Sequence, residues 1–429
     1  MINKDAAISV TTKPIRGAWL VVAILFVIGF LNYLDRIMIT TMRSSIIEDM
    51  PMTDAEFGLL TAVFLWVYGA LSPFAGYLAD KFKRSTVIII SLVVWSVVTW
   101  LTAHAQNYEQ LLATRALMGI SEACYIPAAL ALIADYHKGN SRSFATGLHM
   151  AGVMLGQSFG FLGGWLAEKY HWSDAFTVFG IIGIVYAFLI IWILKDPPKN
   201  PSIETDGAGK APSVITGNPK VSFADAIKNL FRSRAFIILL IFWALLGVVG
   251  WMIMGWLPTY YKEHFSLTQT EAGKFGTLYI YPFSLLGVLV GGVLADAFLK
   301  KYLDSRIRIP LIALLIAAPA VFIASSTSVI LITAIGFAIY AFTRVFSDTN
   351  MMPILCMISD EKYRATGYGV LNMFATIVGG IGLYASGALK DANIDFATMF
   401  KGAAILLLVC AGLLFVIKKQ IFPKNKNAS

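Results

Sequence analysis

Four charged residues stand where their spacing allows chemistry. Asp35 and Arg36 are neighbours in "GFLNYLDRIMITT", and Arg115 precedes Glu122 by seven residues in "RALMGISEACYIPAAL". A carboxylate takes up and releases protons, and a guanidinium holds anions through a planar fork of donors. On a helix, seven residues are two turns, so Arg115 and Glu122 share a face. Neighbours diverge by ~100°, so Asp35 and Arg36 need not pair. A second constellation, "TRVFSDTNMMP", places Arg344 and Asp348 four apart on one face. Gln157 in "HMAGVMLGQSFGFLGGWL", Asn372 and several tyrosines add donors and acceptors suited to a hydroxylated ligand. No HExxH, phosphate-cradling loop or nucleophile–base set accompanies them, so an enzyme is not expected.

The elements that carry these residues are apolar throughout. The 429 residues are 58% hydrophobic and 14% charged, against ~25% charged for a soluble domain. Mean hydropathy is +0.72. A membrane-crossing helix needs about 20 apolar residues. Such runs predict an all-α membrane protein with twelve spans, near 17–42, 54–79, 85–104, 108–135, 142–168, 174–194, 234–261, 270–297, 307–326, 328–358, 362–389 and 396–418. Residues 1–194 and 233–429 then form two six-helix bundles. The polar stretch at 195–232, rich in Pro, Gly and Ser, is the linker, and its "FADAIKNLFRSR" reads as a short surface helix or a lead-in to span seven. The first apolar run is long and lacks a small-residue cleavage site, so no cleavable signal peptide is expected. Cys124, Cys356 and Cys410 lie in apolar runs, predicting neither disulfides nor a metal site.

The net charge of +9 comes from loops. The N-terminus, the even-to-odd loops and the C-terminus hold 25 of the 34 Lys and Arg. The opposite loops hold six: Arg43, Lys169, Lys262, Lys274, Lys390 and Lys401. This asymmetry reads as topology, with both termini cytoplasmic and a bacterial inner membrane as the expected location, rather than as a groove for nucleic acid. The halves repeat. "GYLAD" at 76–80 recurs as "GVLAD" at 292–296, and "FATG" at 144–147 as "RATG" at 364–367. Two matches at offsets of 216 and 220 imply parallel halves with a substrate site between them near the midplane.

"GYLADKFKRS" resembles the loop between spans two and three of the major facilitator superfamily, with Gly76, Leu78, Asp80, Lys81, Lys83 and Arg84 at the matching positions. The second copy keeps Gly292, Leu294 and Asp296 but has Ala297 where a base belongs. The resemblance implies a gating role for Gly76, Asp80, Lys81, Arg84 and Asp296. "NYLDR" together with Glu122 and Pro127 is similar to the anion:cation symporters, the family of hexuronate and other sugar-acid transporters. It implies that the Asp-Arg pair and the glutamate handle protons and an anionic substrate, and it supports a substrate role for Gln157. The superfamily's antiporter signature has proline where Gln157 stands. Spinster-like lipid transporters share the Asp-Arg pair and the "EA" of span four, and "IADY" is closer to theirs.

An ionisable group at mid-membrane costs several kcal/mol unless it is paired or faces water, so each needs a partner or a task. The expected arrangement places Arg115 opposite Asp35 in the outer half, with Glu122 deeper. Asp35 and Glu122 take up protons, tuned by Arg115. Arg36 holds the substrate carboxylate, assisted by Tyr33, Tyr125, Gln157, Arg344, Asp348 and Asn372. Two alternatives stay open: a structural ion pair joining spans one and four, and mutual satisfaction of Arg344 by Asp348. The resulting expectation is a monomeric proton-coupled symporter of a small organic anion, most simply a sugar acid such as a hexuronate or aldonate. It needs no cofactor beyond the coupling ion, H+, with Na+ open, and its lipid contact is the bilayer. The competing expectations are a lipid or lysolipid transporter and a facilitator of neutral sugar.

Overall fold

The computed structural model describes residues 17–137, 141–197, 223–299 and 302–422. Within them the chain is helical. Eleven spans run through helices long and apolar enough to cross a membrane. The remaining span, the fifth, is divided into Ser141–Ser158 and Phe161–Lys169. The twelve-span expectation therefore stands, with the fifth span interrupted rather than continuous. Three tight i→i+3 hydrogen bonds turn the chain there: Gly160 N to Gln157 O, Leu162 N to Phe159 O and Gly163 N to Gly160 O.

Two more interruptions follow from local chemistry. Span four is Tyr108–Ala123 and Tyr125–Tyr136, broken at Cys124. Pro127 has no N–H to give the carbonyl of Ala123, so the helix cannot run on regularly, and the break falls two residues beyond Glu122. Span eight starts as Gln269–Gly273, widens into a π-turn over Lys274–Leu278 and resumes as Tyr281–Leu299. Span two, Asp54–Lys81, begins with a capping box in which Thr53 and Glu56 satisfy each other's backbone N–H. The amphipathic segment forms the helix Phe223–Arg232. It buries Ala226 and Leu230, and Asn229 donates to the Tyr363 hydroxyl of the second half at 3.1 Å. The linker residues 198–222 lie outside the described residues, as do the N-terminal 16.

Spans one and five are in backbone contact. A Cβ on Gly152 or Gly156 would lie 2.4 Å or 2.1 Å from the carbonyl oxygens of Phe26 and Phe30. One on Gly160 would strike Ile37, and one on Gly164 the carbonyl of Thr41. The small-residue stripe expected on span five is thus what lets it lie flat on span one. Span one is Ala18–Thr41.

The two halves meet mainly where span two packs on span eleven (Arg364–Asp391) and span five on span eight. The contact is tight at the face away from the termini. There Gly58 faces the carbonyl of Leu383, and Gly387 sits against the carbonyl of Asp54. Asp391 accepts from the backbone N–H groups of Asp54 and Ala55, both at 2.9 Å. Arg43 pairs with Asp54 in its own half and reaches Glu263 of the other half at 3.4 Å. Glu168 accepts from Thr270 N at 2.7 Å, and Gln269 donates to the Gly164 carbonyl at 3.2 Å. At the opposite, termini-bearing face Phe74, Phe144, Val293 and Tyr368 are exposed. A Cβ on Gly147, Gly292 or Gly369 would meet nothing within 4 Å. Among the described residues, the halves are sealed together at the face away from the termini and open at the other.

Candidate functional site

Span one delivers Asn32, Tyr33, Asp35 and Arg36 to the interior, and all but Tyr33 are buried. Asn32, Asp35 and Arg36 follow the i, i+3, i+4 rule and share one flank of the helix. Span four brings Arg115 and Glu122, both fully buried. The expected Asp35–Arg115 ion pair does not form. Arg36 instead takes Glu122, through Nη2 at 2.8 Å and Nε at 3.3 Å to the same carboxylate oxygen. Asp35 accepts from the Thr99 hydroxyl of span three. Arg115 Nη1 lies 3.0 Å from the Met118 sulfur, and its Nε and Nη2 have no hydrogen-bond partner. The physical reason is rotation. The ~100° between neighbours turns Arg36, not Asp35, toward the Glu122 flank of span four.

Aromatic rings wall in the Arg36 guanidinium. Tyr33, Phe64 and Tyr68 lie 4.4, 4.7 and 4.8 Å from it. Phe64 also lies 5.2 Å from the Arg115 guanidinium. Cation–π contacts of this kind are worth ~2 kcal/mol or more when desolvated, so the rings help hold two cations in an apolar region. Several polar atoms beside them remain without a partner: both amide atoms of Asn32, Asp35 Oδ1 and Glu122 Oε1.

A cavity of about 270 Å³ opens between the halves. Tyr33, Arg36 and Gln157 border it from the first half, and Tyr281, Tyr340, Arg344, Asp348 and Asn372 from the second. Arg36 is the one member of the Asp35, Arg36, Arg115, Glu122 group on the cavity wall; the other three lie behind it. Arg344 and Asp348 bind each other at 2.9 Å at the wall, so mutual pairing and access to the cavity coexist. Span seven, Arg234–Phe265, contributes an apolar strip of Trp243, Leu246, Trp251, Met254 and Leu257.

The expected residues thus divide. Tyr33, Arg36, Gln157, Arg344, Asp348 and Asn372 meet at one cavity. Tyr125 does not reach it: its hydroxyl donates to the Leu25 carbonyl at 2.9 Å, inside the packing of spans one and four. His149 Nδ1 shares that carbonyl at 3.1 Å, which gives it a structural partner. Arg84 pairs with Asp135 and donates to the Ala131 carbonyl at 3.2 Å. Lys81 lies 5.8 Å from the Phe82 ring. Gly76, Asp80 and Asp296 fall on helices, but their surroundings lie outside what the structure describes. Among the described residues no cluster of His, Cys, Asp and Glu could hold a metal ion. Sequence reading missed Asn32, Thr99, Phe64 and, apart from Trp251, the span-seven strip. Asn32 had a signal, as an amide one turn before Asp35. Thr99 and Phe64 had none, because a neutral residue on a third helix gains a role only by position.

The family model described as Major Facilitator Superfamily matches residues 25–383. An MFS-type efflux pump of Mycolicibacterium smegmatis is 26% identical, covering 92% of this chain and 90% of its own. The probable galactarate/D-glucarate transporter GudP of Bacillus subtilis is 23% identical over 99% of this chain and 98% of its own. Among solved structures, a bacterial homologue of the human lysosomal transporter spinster, inward-facing and unoccupied, superposes with a TM-score of 0.76. It is 22% identical, covering 94% of this chain and 97% of its own. The chain belongs to the Major Facilitator Superfamily and is a multi-pass membrane transporter.

Proposed function

We propose that this Major Facilitator Superfamily member is a proton-coupled symporter of a small organic anion, a sugar acid such as a hexuronate, aldonate or aldarate. The carrying observation is the Arg36–Glu122 pair. The cation on the cavity wall is occupied by a titratable carboxylate, and a substrate carboxylate competes with it for the same donors. Protonating Glu122 removes the competitor and frees Arg36 for the anion. Deprotonation returns the competitor and expels the anion. Asp35, hydrogen-bonded to Thr99 behind the wall, takes up the same proton in turn and exchanges it with Glu122, and Arg115 balances its charge.

Gln157, Asn372 and Tyr33 supply the hydrogen bonds a polyhydroxylated body needs. The similarity to a probable galactarate/D-glucarate transporter supports the same substrate class. In this reading the open, termini-bearing face is cytoplasmic, as the distribution of Lys and Arg favours. The carrier then lies in a bacterial inner membrane, and its spans suffice as a monomer.

A second reading has its own observation. The span-seven strip gives the cavity an apolar wall that suits an amphiphile, and the spinster-like structure shares the fold. One experiment separates the two. Purified protein is screened by thermal shift against D-glucuronate, D-glucarate, D-galactonate and a lysophospholipid, and uptake of any stabilising ligand is followed in proteoliposomes under an inward proton gradient. Stabilisation by sugar acids with gradient-driven accumulation is expected. Stabilisation by the lysophospholipid alone would overturn the sugar-acid reading.

A further inference from the structure

The charges at mid-membrane cancel. Among the described residues, the acids and guanidinium groups that line the cavity or are buried directly behind it are Arg36, Arg115 and Arg344 against Asp35, Glu122 and Asp348; Lys274, two residues from the cavity-lining Gly276, lies 5.9 Å from the Phe161 ring instead. Two of the acids are bonded to a guanidinium, Glu122 to Arg36 at 2.8 Å and Asp348 to Arg344 at 2.9 Å. The third couple, Asp35 and Arg115, is buried without direct contact, joined to the others through the Phe64 ring that lies beside both Arg36 and Arg115. The other groups that face this set are His149, Cys410 and the phenols of Tyr33, Tyr68, Tyr281, Tyr340 and Tyr368. All of these count as neutral, and His149 spends its Nδ1 on the Leu25 carbonyl.

A site of three cations and three anions is neutral when empty and deprotonated. Each proton it takes up leaves one guanidinium uncompensated in a region where an unpaired charge costs several kcal/mol. Each substrate carboxylate restores the balance. We propose that this carrier moves one proton for every carboxylate of its substrate, so that transport is electroneutral and the proton number follows the anion: one for a monocarboxylate, two for a dicarboxylate. A proton on Glu122 frees Arg36 for one carboxylate. A dicarboxylate spans the cavity to Arg344 in the opposite half, whose own partner Asp348 also borders the cavity and accepts the second proton. This rests on the symport reading above and adds to it the stoichiometry and the role of Arg344 and Asp348 as readers of a second negative charge.

The test uses the full-length protein in proteoliposomes, with D-glucuronate as monoanion and D-glucarate as dianion. The membrane potential is clamped with valinomycin at zero or about −100 mV, and entrapped pyranine reports protons. Expected are uptake rates that follow the pH gradient and change less than about twofold with potential, with twice as many protons per glucarate as per glucuronate. One uncompensated charge would instead change the accumulation ratio ~50-fold at that potential. A strong response to potential in the wild type, or equal proton numbers for both anions, overturns the proposal while leaving proton coupling in place. Indifference to the pH gradient sinks the symport reading and the charge rule together.

Asp348→Asn leaves the site with one surplus cation. It is expected to carry glucarate with one proton fewer and to become slowed by a negative interior. Arg344→Gln combined with Asp348→Asn restores the balance and the indifference to potential. A double variant that stays sensitive to potential overturns the assignment.

Discussion

Replacing Glu122 by glutamine keeps the side chain's shape and removes its charge. Arg36 Nη2 sits 2.8 Å from the Glu122 oxygen, which places the charge centres ~4 Å apart. At an effective dielectric constant of 20 that separation is worth ~4 kcal/mol. A substrate carboxylate must displace this interaction to reach Arg36. The glutamine carbonyl still accepts a hydrogen bond worth ~1 kcal/mol, so the relief is at most ~3 kcal/mol. Part of that is lost to rearrangement of the Tyr33 and Tyr68 rings around the guanidinium. We therefore expect Glu122→Gln to bind a sugar acid such as D-glucuronate ten- to a hundredfold more tightly at pH 8, measured by isothermal titration in detergent. The advantage narrows at lower pH, because protonation does to Glu122 what the substitution does. Counterflow of labelled for unlabelled anion persists, since exchange needs no proton cycle. Accumulation driven by a pH gradient is lost. Unchanged affinity together with undiminished accumulation would show that Glu122 and the substrate do not compete for Arg36.

Three further expectations come from contacts away from Arg36. Gly156→Ala places a Cβ 2.1 Å from the Phe30 carbonyl and forces spans one and five apart, costing ~1–3 kcal/mol and lowering the unfolding temperature in detergent. Gly147→Ala, with open space around it, is the neutral control. Glu263→Gln with Asp391→Asn weakens the contacts that join the halves at the sealed face. Distances between spin labels at Glu48 and Ser266 are then expected to lengthen in double electron–electron resonance, and an unchanged distribution would mean that apolar packing alone holds that face shut. At the open face, burial raises the proton affinity of Asp304, but hydrogen bonds from Lys418 and Arg308 outweigh it and hold the carboxyl below its ordinary range. A carboxyl depressed in the folded state stabilises above its unfolded pKa and loses that contribution as pH falls through the folded value. Thermal stability is therefore expected to decline on acidification less steeply in Asp304→Asn than in the wild type.

The fold was legible because lipid forces it to be. Apolar runs of about 20 residues can only be helices, and the charged loops between them mark their ends. The breaks were legible in part. Pro127 announces the interruption of span four, whereas at Gly160 it is the lack of a Cβ that leaves room for Ile37 of span one, a fit no local pattern encodes. The same limit governed the site. That Asp35, Arg36, Arg115 and Glu122 belong together follows from the cost of burying each alone. Which acid takes which base does not follow, because it depends on the rotation of one helix against another. That rotation is set by the glycine stripe of span five and by Thr99 of span three, which occupies Asp35. The second-half pair was the easiest to place: Arg344 and Asp348 lie on one helix, and an i,i+4 spacing fixes their contact whatever the helix packs against.

The position of Arg36 on span one ties binding to gating. Gly152, Gly156, Gly160 and Gly164 leave no space between spans one and five, and Gly164 N donates to the Thr41 hydroxyl at 3.0 Å. Arg36 and Gln157 therefore ride on one slab and face the cavity together. The same slab leads to Arg43, the first residue of the short helix Arg43–Asp49 that follows the end of span one at Thr41. Arg43 ends it with one hand on Asp54 of its own half and the other on Glu263 of the opposite half. A carboxylate exchanged at Arg36 cannot move Arg36 without moving Arg43, because the backbone contact between the two spans does not compress. The give must therefore come where the halves touch through side chains, at Glu263, at Gln269 and where Trp256 meets the Phe57 ring 5.8 Å away. The polar contacts among them, at Glu263 and Gln269, can be remade by water. That lets a proton-sized change at the cavity be felt at the sealed face without disturbing either bundle.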